Sequence, residues 1–258
     1  MRNLFSPAAR KPINRDPVEA QVPQLQDANI AAVYYGQRMG GDLYDFVRVS
    51  PTRVLFGLLD VAGRAEQNRE IVAAAQATFR STGAERFGEE DVNPAEAMIE
   101  VCLQVNRTIL KTAGRVCSCP AFAGCYDETL GTVVYFNAGH TPGLVRDGGG
   151  VSELPATGLP LGLFSHTTCD ASTVFLSQGA AMLLVSRGIV EAKCGNEELG
   201  LDSVKTGFQQ TTAVNSKELC LSVLDRVKQF MCVPPTHNDV TALALFRATA
   251  TKTVVGAS

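Results

Sequence analysis

The apolar positions of this chain fall into short runs and longer stretches with helical spacing. Runs rich in Val, Leu, Phe and Tyr predict strands over residues 30–35, 43–49 and 53–59, punctuated by Gly40-Gly41 and Ser50-Pro51-Thr52. Two helices are predicted next. Residues 66–80 place Ile71, Val72, Ala75 and Phe79 on one face, and residues 95–110 do the same with Ala95, Met98, Ile99, Cys102, Val105 and Ile109. Asn93-Pro94 supplies the cap and first turn of the second. Strand pattern returns over 121–126 and 132–137, joined by a hairpin-length connection from Asp127 to Gly131, then near Leu144, over 173–176 and over 181–185. Helices over 196–210 and 216–231 and a last strand over 240–246 complete the pattern; Leu219, Cys220, Val223, Leu224, Val227 and Phe230 form the stripe of the final helix.

Hairpin-connected strands interrupted by two helix pairs do not fit a doubly wound parallel sheet, in which strand and helix alternate throughout. Two antiparallel sheets packed together, with a helix pair on each outer face, bury every stripe, so the expected class is α+β in one domain. Residues 1–26 carry Pro7, Pro12, Pro17 and Pro23 and little apolar material, and read as a flexible leader. The domain is expected over 27–248, with a polar tail over 249–258. Asp147-Gly148-Gly149-Gly150 reads as a tight turn and not a phosphate cradle, since extended sequence rather than a helix follows it.

Composition narrows the function. The 258 residues carry 23 basic and 26 acidic side chains, net −3, without a basic face of the kind that binds nucleic acid. No apolar run approaches the ~20 residues of a membrane span. The basic residues of the leader are too sparse for a membrane patch. With no secretory signal in view, the expected location is the cytoplasm. The eight cysteines are then read as reduced, mostly buried thiols, with Cys102 and Cys220 on helix faces. The spacing of Cys117, Cys119 and Cys125 matches no zinc pattern. His140 and His166 read as loop residues with satisfied ring nitrogens, and His237 as a residue lining a cleft.

Five segments carry candidate chemistry. Gly40-Gly41-Asp42 opens a strand with a carboxylate, which as a bare pattern is also a turn. Leu58-Leu59-Asp60-Val61-Ala62-Gly63 ends an apolar strand in a carboxylate, which is also a helix-entry cap. Asn137-Ala-Gly-His140-Thr-Pro142, Ser186-Arg187-Gly188 and His237-Asn238-Asp239-Val240-Thr241 each lie at a strand end. In order and spacing the five resemble the metal-dependent protein phosphatases (PPM, or type 2C), in particular the bacterial sporulation stage II E and sigma-factor-regulator branch, over residues 29–248. The resemblance implies an α/β/β/α sandwich. It also implies hydrolysis of phosphoserine or phosphothreonine by water bridging two Mn²⁺ or Mg²⁺ ions. It makes Asp60 the bridging ligand and the Val61 carbonyl a ligand of the first ion, with Asp42 acting directly or through water.

The same resemblance locates a departure. Arg187 and Asn238 stand where the family places aspartates that bind the second ion, and Gly63-Arg64-Ala65 where glycine-histidine-glycine is common. Guanidinium has no lone pair to offer and stays charged. The second site as usually built is therefore not expected, and one ion is expected rather than two, or none. Asp239 could shift in as a ligand, or Arg187 could fill the second ion's volume beside Asp60 or Asp239. The candidate catalytic set is Asp42, Asp60, Arg187, Asn238 and Asp239. Two functions stay open: a serine/threonine phosphatase acting on a phosphorylated signalling protein of the anti-sigma-factor-antagonist type, or a catalytically weak or inactive module binding such a phosphoprotein or its kinase. No sensor domain is seen, so any input is expected from a separate protein or the leader.

Overall fold

In a computed structural model, the described residues are 20–35, 41–61, 65–89, 91–166, 168–232 and 239–249. The leader up to residue 19, Gly40, the Gly63-Arg64 pair, His237, Asn238 and the tail from residue 250 lie outside them. One five-stranded antiparallel sheet is ordered β1-β12-β9-β6-β7, from β1 (Ala28–Tyr35), β6 (Gly143–Asp147), β7 (Gly150–Leu154), β9 (Ala181–Val185) and β12 (Val240–Arg247). The other is ordered β2-β3-β4-β5-β8, from β2 (Leu43–Arg48), β3 (Arg53–Leu59), β4 (Ala121–Asp127), β5 (Thr132–Ala138) and β8 (Ser172–Phe175).

Helices α1 (Ala65–Phe87) and α2 (Pro94–Ala113) cover the second sheet, while α4 (Gly200–Gln210) and α5 (Ser216–Phe230) cover the first. The result is the expected α/β/β/α sandwich. A four-residue helix α3 (Arg187–Val190) and a small hairpin, β10 (Lys193–Cys194) with β11 (Glu197–Glu198), separate β9 from α4.

Strand side chains alternate between two cores, which is why the inner strands read as nearly unbroken apolar runs. In β3, Phe56 and Leu58 face the other sheet, while Leu55 and Leu59 face α1 and α2. In β12, Leu243 and Leu245 point between the sheets, whereas Val240, Ala242 and Ala244 meet α4 and α5. The predicted stripe of α1 is buried as read. That of α2 is turned slightly: Ala97 and Val101 are buried, and Ala95 and Ile99 only partly.

Helix α1 runs seven residues beyond its predicted end at Arg80 because Gly83 is a contact and not a stop. A Cβ there would lie 2.3 Å from Leu55 Cδ2, so glycine lets the helix settle on the sheet and bury Phe87. Asp45 in β2 is 2% exposed and receives two bonds from Arg80 of α1, Nε at 2.6 Å and an Nη at 2.7 Å.

One expectation about cysteine is overturned. Cys194 and Cys232 are disulfide-bonded, with Cα atoms 4.9 Å apart. They are 38 positions apart in sequence, so the fold and not the local chain brings them together. Cys102, Cys117, Cys119, Cys125, Cys169 and Cys220 are free and buried.

Candidate active site

Four strand ends meet at one end of the sandwich. The register pairs Leu43 with Leu59, so Asp42 and Asp60 are the next residues outward on β2 and β3. In the other sheet Ala242 pairs with Val185, which puts Ser186 opposite Thr241 at the ends of β9 and β12. Thr241 shares the inner face of β12 with Leu243, so its hydroxyl points toward the opposite sheet. It donates to Asp42 Oδ2 at 2.9 Å, and the Asp42 amide donates to Asp239 Oδ2 at 3.1 Å. These two bonds join the sheets across the cleft.

Ser186 fixes the other side. Its hydroxyl donates to the Asp239 carbonyl at 2.8 Å and accepts from the Thr241 amide at 3.0 Å. Arg187 follows as the first residue of α3, with its Nε 3.7 Å from Asp60 Oδ2 and 3.8 Å from Glu191 Oε1 one turn on. Asp42, Asp60, Arg187 and Asp239 are therefore neighbours although the sequence spreads them over almost the whole domain; Asn238 lies outside the described residues. Asn68 was not singled out by sequence, and Ser186 only as a member of the Ser186-Arg187-Gly188 segment, without a role of its own. Glu191 was legible only as the i+4 partner of Arg187 on a helix too short to show periodicity.

Val61 is held from two sides. Asn68, fully buried in α1, donates to its carbonyl at 3.0 Å, and the Val61 amide donates to the Gly41 carbonyl at 3.3 Å. A Cβ on Gly41 would lie 2.3 Å from the Val61 oxygen, so this close approach requires glycine.

Burial raises the pKa of Asp42 well above the usual carboxylate range, and the charges of Asp60 and Asp239 add to it; the bonds from Thr241 and Ser186 oppose the shift. Burial also raises Asp60. Arg187 pulls it back down, while Asp239 and Glu191 push it up. Two carboxylates, Asp60 and Glu191, thus flank the Arg187 guanidinium, with Asp42 and Asp239 adding negative charge near Asp60. The Arg187 side chain is 51% exposed, so its pairing with Asp60 is screened and worth at most about 1 kcal/mol. It is free to turn toward a ligand.

The histidine reading is corrected at His140. The residue is buried, with Nδ1 against the Thr141 carbonyl at 3.0 Å but no partner for Nε2 among the described residues. Burial lowers its pKa to about 4, so the ring is neutral at pH 7. His166 is exposed.

This fold, two antiparallel sheets with acidic strand ends facing each other across a cleft, is of the PPM phosphatase class seen in solved structures. Within that class the chain belongs to the Stage II sporulation protein E (SpoIIE) family, whose sequence profile matches residues 50–247. It is 24% identical over 161 residues to the phosphoserine phosphatase RsbP of Bacillus subtilis, covering 61% of this chain and 39% of that protein. Among solved structures it resembles the RsbU and RsbW domains of Rv1364c from Mycobacterium tuberculosis, with TM-score 0.70 and 22% identity over 92% of this chain and 64% of that one. The PP2C phosphatase domain of SpoIIE from Bacillus subtilis, solved with a regulatory fragment, gives TM-score 0.67 and 16% identity over 87% and 63% of the two chains. The chain thus spans well under half of the curated relative's length. Among the described residues no helix is long and apolar enough to cross a membrane.

Proposed function

We propose that this chain is a phosphoserine/phosphothreonine-recognising PPM domain of a bacterial sigma-factor-regulating pathway, with a degenerate second-metal site that leaves it catalytically weak. The observation that carries the reading is the Arg187 guanidinium standing 3.7 Å from Asp60, where the family pattern calls for a carboxylate ligand. Support for the substrate class comes from the SpoIIE family match and from a relative named as a phosphoserine phosphatase.

The donor set fits one hard cation better than two. Asp60 and the Val61 carbonyl offer oxygen ligands, and Asp42 stands beside them for direct or water-mediated contact. A Mn²⁺ or Mg²⁺ ion held there supplies Lewis-acid activation of water and neutralises phosphoryl charge. A second ion beside Arg187 does not fit, since that side chain brings +1 and no lone pair, and no step is assigned to one. Among the described residues, no three Asp, Glu, His or Cys side chains form a ready ligand cluster.

The chain's own groups have separable tasks. Arg187 donates to two phosphoryl oxygens in bidentate fashion, substituting for part of the missing charge. Thr241 orients the Asp42 carboxylate by donating to its Oδ2 at 2.9 Å. Ser186 fixes Asp239 and keeps the two loops in register. The partner is a phosphorylated signalling protein of the anti-sigma-factor-antagonist type, or its kinase. The same Arg187–Asp60 contact also favours a second reading, a binding module without turnover.

Hydrolysis of p-nitrophenyl phosphate with manganese tests both. The expected rate is barely above that of Asp60→Ala, which removes the central ligand. Robust manganese-dependent turnover that Asp60→Ala abolishes would contradict the degenerate site.

A further inference from the structure

We infer that Cys194 and Cys232 form a thiol–disulfide exchange site for a dithiol reductant, and that opening it releases the β10–β11 hairpin behind Arg187. The two sulfurs are bonded with Cα atoms 4.9 Å apart, inside the usual disulfide range. Cys232 is exposed and Cys194 partly so, whereas the other six cysteines are buried. Burial pushes the Cys220 thiol up to about 12 and those of Cys119 and Cys125 higher still, and a hydrogen bond with Cys169 followed by burial does the same for Cys102. They stay protonated and unreactive, because the thiolate is the nucleophile. Among the cysteines, Cys194 and Cys232 are therefore the pair that an external reductant can reach.

That place matters for the cleft. Among the described residues β10 pairs with β11 alone, through a two-residue ladder that belongs to neither large sheet; Lys193, Glu197 and Glu198 are exposed, while the base of the hairpin is closed by the Leu199 amide donating to the Ala192 carbonyl at 2.9 Å. So short a ladder is marginal by itself. The disulfide is the covalent tie between the hairpin and the end of α5. Glu191, which pairs with Arg187, lies two residues before β10, and Arg187 opens the same segment.

In the exchange, an incoming thiolate attacks Cys232 Sγ and forms a mixed disulfide. Cys194 leaves as a thiolate and takes a proton. The reductant's second thiolate then displaces Cys232, so two electrons reach the chain and the reductant departs as its own disulfide.

The bearing on Arg187 rests on the functional reading above; the thiol chemistry does not. Alkylation in denaturant without reductant, followed by mass spectrometry, should add six labels, and after dithiothreitol eight, the new ones on Cys194 and Cys232. In the folded protein, dithiothreitol should speed amide hydrogen exchange over residues 191–198 roughly tenfold and leave the central strands unchanged. Cys194→Ser and Cys232→Ser should each show the fast pattern without reductant, and the wild-type comparison stands if either fails to fold. Eight labels before reduction, or equal exchange in both redox states, would overturn the inference. Neither readout involves turnover or metal, so failure here is distinct from failure of the phosphatase reading.

Discussion

Arg187→Asp combined with Asn238→Asp should bind Mn²⁺ about a hundredfold more tightly than the wild type, in a calorimetric titration at neutral pH. The exchange replaces a cation beside Asp60 and a neutral amide by two hard oxygen ligands, the second at the position where the family resemblance places a ligand. A unit charge a few ångströms from a divalent ion is worth several kcal/mol even at an effective dielectric of ~20. Exposure of Arg187 and salt screening reduce that, and about 3 kcal/mol remaining corresponds to the hundredfold gain. The gain should grow with pH. Arg187 is the group that pulls the Asp60 pKa down, so removing it leaves Asp60 easier to protonate, and protons compete with the ion at the acidic end. Equal affinities in wild type and variant would mean that Arg187 does not oppose the second ion. Turnover need not follow binding, because supporting contacts around the ligands decide whether the geometry is productive.

Arg80→Ala should destabilise the fold by about 3 kcal/mol or more in urea denaturation, lowering the midpoint without changing the slope. Asp45 is 2% exposed with Arg80 in place, and among the described residues only the Phe46 amide, at 2.9 Å, would remain as a donor. An uncompensated buried charge costs far more than the pair itself contributes. Asp45→Leu with Arg80→Met should therefore recover most of the loss, since the double change removes both charges and keeps apolar volume. A loss below ~0.5 kcal/mol for Arg80→Ala would show that water reaches Asp45. The pair also bears on the site: Asp45 sits three residues after Asp42 on the same strand and is the point where α1 grips it.

How far the sequence carried the reading depended on the range of the signal. The α1 and α5 stripes were legible because helical burial repeats over many residues. The carboxylates Asp42, Asp60 and Asp239 were legible as strand-end motifs in a fixed order, and the structure brings them together with Arg187. Their bonds were not legible. The reach of Thr241 to Asp42 spans 199 positions and depends on which face of β12 points inward. α3 and the β10–β11 hairpin escaped because four residues, or two, carry no period. The run of α1 past Arg80 was not legible either, because the close contact of Gly83 with Leu55 is made across the fold. The Cys194–Cys232 bond contradicted an argument made from compartment alone, which has no access to which thiols are adjacent.

The central claim is that Arg187 excludes the second ion from the cleft. Anomalous scattering from wild-type crystals grown with manganese tests it most directly. The account predicts at most one peak, on Asp60, with the Arg187 guanidinium beside it. Two peaks about 4 Å apart, bridged by Asp60 with Arg187 displaced, would contradict it.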